Sequence, residues 1–341
     1  MHAVAVAKHE TGVGSRWLHG PLTDVLLGWC FLPVALVVHL LGPNLSAVRT
    51  MTAGVFVLSF AHQPLTLGLV YGDPIQRAAH RKLYRWAPAV ATIAILIGLS
   101  VNLTLVAAVA VLWNAEHTLM QRYGLMRIYG RKAGDDNGSL EKPMLVVWLI
   151  AALAFIGAYV DHRDLAFRLG VDETNTRGIL LLEPLRVPAQ ILFWVAAVVG
   201  VRLAVRWWRA ERVLGAAASR PKHIYTLGTI GLLVVVMIDP IAGVAGYVAA
   251  HAIEYYAVVH RSLRTRRDDA PIARVTRSTW RRRAVYAAYF VGVATFVWAT
   301  YGLLEGRVYG FAILLFGALH ILYDGFVWKL RRPHVAASLG L

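Results

Sequence analysis

Long apolar runs, each about as long as a bilayer is thick, alternate with short polar segments along the whole chain. A spanning helix needs roughly 20 mostly apolar residues at 1.5 Å rise per residue. Ten stretches meet that length, near 22–41, 49–71, 86–102, 103–127, 143–160, 187–205, 223–239, 241–260, 284–303 and 307–329. Only Asn102 separates the third from the fourth, and Asp239-Pro240 reads as a tight turn between the seventh and eighth. Pro33 and Pro64 predict kinks in the first two helices. The pattern predicts an all-α polytopic membrane protein, ten helices in one bundle forming a single domain over 1–341. No apolar core with a cleavage site is read in the first twenty residues, so no signal peptide is expected.

Composition agrees. Of 341 residues 58% are apolar and 16% charged, which excludes disorder and a disulfide-stapled secreted domain. The lone Cys30 cannot form an internal disulfide. The net charge of +16 raises nucleic acid as a partner, but the basic residues sit between apolar runs, so no nucleic-acid partner is expected. Most Lys and Arg fall in the N-terminal tail, the loops 72–85, 127–142, 202–222 and 261–283, and the C-terminal tail. By the positive-inside rule those segments and both termini are cytoplasmic, in a bacterial inner (plasma) membrane. The basic loop 261–283 then faces the cytoplasm. The longest outer loop, 161–186, carries Asp161, Asp164, Asp172, Glu173 and Glu183 and is expected to form a small cap. Lipid is the expected surround, with anionic headgroups a secondary partner for the basic loops.

An ionisable residue inside a span is a functional-site hypothesis by default. Three acids qualify: Glu116, Glu254 and Asp324, each near a histidine. The fourth helix reads Trp113-Asn114-Ala115-Glu116-His117, then Gln121-Arg122-Tyr123-Gly124. The eighth reads His251-Ala252-Ile253-Glu254-Tyr255-Tyr256, and the tenth His320-Ile321-Leu322-Tyr323-Asp324-Gly325. His62 lies in the second, as Phe60-Ala61-His62-Gln63-Pro64. All four helices run in one direction, and each histidine lies about 9 to 11 residues before its helix's cytoplasmic end. That is roughly 14–16 Å, close to the bilayer midplane. Four separate helices thus place an imidazole in one layer.

His251 with Glu254, His320 with Asp324, and His117 with Gln121 are spaced three or four residues apart and share helix faces. The pattern is akin to the Glu-x-x-His helices of carboxylate-bridged di-metal bundles with the order reversed. It makes His62, His117, His251, His320, Glu254 and Asp324 candidate metal ligands. Glu116, Glu254, Asp324, Tyr255 and Tyr323 are candidate catalytic or proton-handling groups. Gln121 and Tyr123 are candidate supports for a cofactor, and Gln63 a hydrogen-bond support. Glu116 sits about 100° from His117 and can serve a different partner. Non-haem Fe, one or two ions, fits the donors best, with Zn, Mn or Cu as alternatives. Each residue also has a plainer reading. A single membrane histidine is often a helix–helix hydrogen-bond partner, Glu254 and Asp324 can form a proton relay, and interfacial tyrosines such as Tyr71 are often anchors. Buried carboxylates without a metal need an arginine or a proton. His80, His223 and His260 fall at cytoplasmic helix ends, His39 near the outer end of the first helix, and His2, His9, His19, His162 and His334 in tails or loops.

The chain has no Walker loop, no dinucleotide fingerprint, no Cys cluster and no His-Glu-x-x-His. Nor does it carry the clustered histidine boxes of membrane desaturases and fatty-acid hydroxylases. Single histidines scattered over separate spans, with the His251-Ala-Ile-Glu-Tyr-Tyr stretch near the end of one, resemble the bacterial integral-membrane carotene-cleaving oxygenases of the Brp/Blh type. The resemblance covers the second, fourth and eighth helices and implies non-haem iron inside a multi-helix membrane bundle. The expected function is a metal-dependent membrane oxidoreductase, acting with an electron donor on an apolar lipid, isoprenoid or alkyl substrate. A hydrolytic zinc site, a haem electron carrier and a proton-coupled transporter are the alternatives.

Overall fold

The computed structural model describes residues 16–135, 138–170, 183–265, 271–303 and 307–341. They are helical, without a strand among them. The helices are α1 (Pro21–Trp29), α2 (Phe31–Leu40), α3 (Leu45–Tyr71), α4 (Pro74–Ala79), α5 (Arg81–Val101), α6 (Leu103–Lys132), α7 (Glu141–Tyr159) and α8 (His162–Leu169). They continue with α9 (Arg186–Leu214), α10 (Arg220–Ile238), α11 (Pro240–Thr265), α12 (Pro271–Thr276), α13 (Thr279–Val297), α14 (Arg307–Val327) and α15 (Pro333–Ser338).

The helix ends have local causes. The polar break at Asn102 is an N-cap, its side chain accepting from Leu105 N at 2.9 Å. Asn44 caps α3 through Ala47 N at 3.1 Å. Asp73 caps α4, and Asp239 accepts from Ala242 N at the start of α11. Asp161 caps α8; Asp172 and Glu173, read as part of a cap over the outer loop, lie outside the described residues. The first span departs from the expected single kinked helix. It breaks at Cys30 into α1 and α2, bent by 41°. Pro33 explains the position, because its ring would clash with the Trp29 carbonyl four residues back. The helix α3, in contrast, runs unbroken through Pro64.

Among the described residues seven helices are long and apolar enough to cross a membrane, or eight if the bent α1–α2 pair is one span. The expected count of ten exceeds this by α6 and α11, which are 30 and 26 residues long but carry more polar groups. For α11 the packing supplies the reason. The helix α11 is the centre of the bundle, packed by α1, α2, α3, α6 and α10, and most of its residues are buried. A helix wrapped by protein needs no apolar face toward lipid. The opposite case is the outer wall. Along α5, α9 and α13 the apolar side chains point outward, with Ile93, Ile97, Trp194, Val198, Phe290 and Val291 all exposed. Continuous apolar faces of this kind are what lipid covers.

Close packing at the α10–α11 hairpin depends on Gly243. A Cβ there would fall on the Val236 backbone and stand 2.8 Å from the Val235 carbonyl carbon. Backbone cannot move aside as a flexible side chain can. Gly243→Ala is expected to cost about 1–3 kcal/mol by overpacking. Thermal unfolding in detergent checks it, and an unchanged midpoint would show that the hairpin relaxes freely.

Candidate metal centre

His62 comes from α3, His117 from α6, His251 from α11 and His320 from α14. Their rings meet in the middle of the bundle. His62 Nε2 lies 3.0 Å from His251 Nε2 and 3.1 Å from His320 Nε2, and His117 Nε2 lies 3.1 Å from His320 Nε2. Neighbouring rings stand nearly perpendicular, at 85–88° for His62 with its two partners and for His117 with His251 and His320. The ligand atoms fall into two overlapping groups that share His320, one of His62, His251 and His320 and one of His117, His320 and Asp324. Ligand nitrogens about 2.1 Å from a shared ion and roughly 90° apart are separated by about 3 Å. Neutral imidazoles can instead share N–H···N hydrogen bonds, but each carries one proton, and lone pairs crowded without a cation repel. Each of the two groups could hold a cation.

One helical turn farther along lies a second layer, and it repeats the same spacing. Thr66 follows His62 by four residues, Tyr255 follows His251 by four, and Asp324 follows His320 by four. Thr66 Oγ1 sits 2.5 Å from Tyr255 OH and 2.7 Å from His320 Nδ1, and it donates to Asp324 Oδ1 at 3.0 Å. Tyr255 OH reaches the same carboxylate oxygen at 3.0 Å. His320 Nδ1–H donating to Thr66 leaves the Nε2 lone pair facing the other imidazoles. The other carboxylate oxygen, Asp324 Oδ2, faces the cluster, 3.7 Å from both His117 Nε2 and His320 Nε2. Asp324 can thus close on an ion or exchange a proton with a group bound to one. The Nδ1 atom of His251 has no hydrogen-bond partner among the described residues, and His320 is the imidazole whose Nδ1 meets this layer.

The remaining predicted site residues fall elsewhere. Glu254 does not face the imidazoles, which corrects its reading as a metal ligand. Its carboxylate is ion-paired with Arg122 Nη1 at 2.5 Å, both side chains fully buried. The same guanidinium donates to Thr229 Oγ1 at 2.9 Å and to the Gly28 carbonyl at 2.8 Å, and it lies over the Tyr225 ring. The offset to burial is therefore an arginine, not a metal. Gln121 is a support: its amide donates to the His251 carbonyl at 3.0 Å. Glu116 is exposed on the outer face of α6, away from the cluster, so it is not placed as a catalytic group. Tyr323 is rotated away from the cluster toward Tyr71, with the two hydroxyls 3.0 Å apart. Tyr123 is half-buried in the packing around the main apolar core. Gln63 packs beside Gly317.

Two functional side chains were not singled out by sequence reasoning. Thr66 carried a usable signal, since it lies four residues after His62. Arg122 was visible as an unusual charge inside a span, but its partner on α11 was not. A further carboxylate group of Asp135, Glu141 and Glu211 already holds a cation, with Lys222 Nζ 2.5, 3.1 and 2.5 Å from the three in turn.

The hydroxyl of Thr66 is expected to matter to binding through His320 and Asp324. Thr66→Val keeps the shape and removes the group. Metal affinity measured by chelator competition should fall roughly 10–100-fold, the usual cost of deleting an outer-shell partner. An unchanged affinity would remove Thr66 from the site.

No family model matches the chain, and no curated protein or solved structure matches it.

Proposed function

We propose that the chain is a membrane-embedded metalloenzyme, an oxidoreductase of the non-haem iron type acting on an apolar lipid, isoprenoid or alkyl substrate. The observation that carries the reading is the pair of ligand groups that share His320, one of three histidines and one of two histidines with Asp324, drawn from four helices. This donor set suits a divalent first-row ion such as Fe, with Mn, Cu and Zn as the other candidates. The 3.0–3.1 Å gaps leave no room for a porphyrin between His62 and His251, His62 and His320, or His117 and His320, which favours a bare ion over haem. A redox ion held there would supply O₂ activation in a dry pocket, with electrons from a separate donor. The chain's own residues do the rest. Asp324 balances cation charge and takes or gives a proton at Oδ2. Tyr255 and Thr66 hold its other oxygen.

Access supports an apolar substrate. His62, His251 and His320 are at most 1% exposed, while His117 and Asp324 are 8% exposed. The open edge of the cluster therefore lies between α6 and α14. Gly124, two turns after His117, and Gly325, next to Asp324, have no atoms within 4 Å of where a Cβ would stand. The proposal includes all ten spans, α6 and α11 crossing as part of the bundle, with both termini cytoplasmic and the chain resident in a bacterial inner membrane.

The test is elemental analysis of purified protein followed by O₂ uptake with lipid, isoprenoid and alkyl candidates. One or two redox ions per chain, with uptake coupled to an oxidised product, is the expected result. A Soret band in place of a bare ion, or metal-free protein that moves protons into vesicles, would replace this reading with one of its alternatives.

A further inference from the structure

A second site lies at the end of the bundle where α3 turns into α4 and α5. An open cavity of about 530 Å³ is lined there by Arg77, Arg81 and Arg85, with Tyr71 and Tyr84 also in its wall. The three arginines are spaced by four residues, and the break between α4 and α5 at His80 keeps all three on one cavity. No carboxylate lines it. None of the three guanidiniums forms an ion pair with a carboxylate among the described residues, and the nearest acid in sequence, Asp73, uses Oδ1 to cap the α4 backbone. All three are exposed, and together they make a positive patch around one open cavity, which attracts an anion. Their planar forks match the oxygens of a phosphate.

The surroundings indicate where that phosphate comes from. Ile75, Trp86 and Val90 beside the cavity are exposed apolar side chains, and the Arg85 guanidinium stands 5.5 Å from the Trp86 ring centre. Tryptophan and arginine together mark the headgroup level of a membrane. Arginines that merely reach toward headgroups need no cavity. These have one. Its tyrosines are held in place: Tyr71 OH donates to the Tyr84 carbonyl at 2.7 Å and lies 3.0 Å from Tyr323 OH.

We propose that this cavity binds the phosphate of an anionic lipid headgroup, with Arg77, Arg81 and Arg85 as its ligands. Free inorganic phosphate shares the recognised chemistry. The inference does not depend on the metal centre.

Native mass spectrometry of the full chain in detergent tests it, titrating dioleoyl phosphatidic acid and, in a separate arm, inorganic phosphate. The R77A/R81A/R85A variant is compared with R202A/R206A/R209A, which removes three exposed arginines from α9, where none of them lines this cavity. Wild type and the α9 variant should retain one phosphatidic acid with equal affinity. The cavity variant should bind at least tenfold more weakly while unfolding at the wild-type temperature. Arg81→Ala alone should show a partial loss, which guards against a triple variant that misfolds. Displacement of the lipid by phosphate supports the proposal with phosphate itself as the recognised group. Lipid binding that phosphate does not displace supports it with the acyl chains required. Equal weakening in both triple variants, or no binding of either probe, overturns it.

Discussion

Protein carrying His251→Ala or His320→Ala is expected to emerge from purification without its metal, while His162→Ala retains the wild-type content. The contrast follows from position. His251 and His320 are fully buried and each points Nε2 into the cluster, so neither truncation can be filled by a neighbour or by bulk water. His320 has the larger role, since it contacts both His62 and His117 and is the imidazole tied to Thr66. His162 is just as buried but lies on α8, bonded to the Ile156 carbonyl and near Glu183. It controls for the loss of any buried imidazole. Equal metal in all three variants would refute the assignment.

The next largest effect is expected at Arg122. Arg122→Leu leaves the Glu254 carboxylate buried without a counter-charge and strips donors from Thr229 and Gly28. Breaking one side of a buried pair costs about 3–5 kcal/mol, whereas replacing both sides with apolar groups is often close to neutral. The double variant R122L/E254L should therefore be more stable than R122L alone. Denaturation of reconstituted protein measures both. A single variant within about 1 kcal/mol of wild type would show that the pair is not energetically coupled. The same geometry changes what Glu254→Gln does. Its main effect falls on stability through Arg122, and metal content should remain.

Much of this was legible in the sequence, for physical reasons that also mark where legibility stops. Bilayer thickness fixes helix length, so the spans could be read, and the residue between the third and fourth proved to be a cap. A common direction and a common distance from the helix end place His62, His117, His251 and His320 at one height. Rotation about the helix axis is the part that spacing resolves only within a helix. Asp324 was found because four residues return it to the face of His320. Tyr323 is one residue earlier and points toward Tyr71 instead. Glu116 fails in the same way beside His117. Glu254 shares the His251 face closely enough to be read as a ligand, but the guanidinium that claims it comes from α6. Pairing between helices has no periodicity in one sequence.

X-ray absorption at the edge of the metal found by elemental analysis tests the central claim most directly. The expected spectrum shows a nitrogen and oxygen shell near 2.1 Å, with the outer scattering of three to four imidazoles and no sulfur. Protein that binds no ion, or an ion with at most one imidazole around it, would contradict the joint coordination of a cation by His62, His117, His251 and His320.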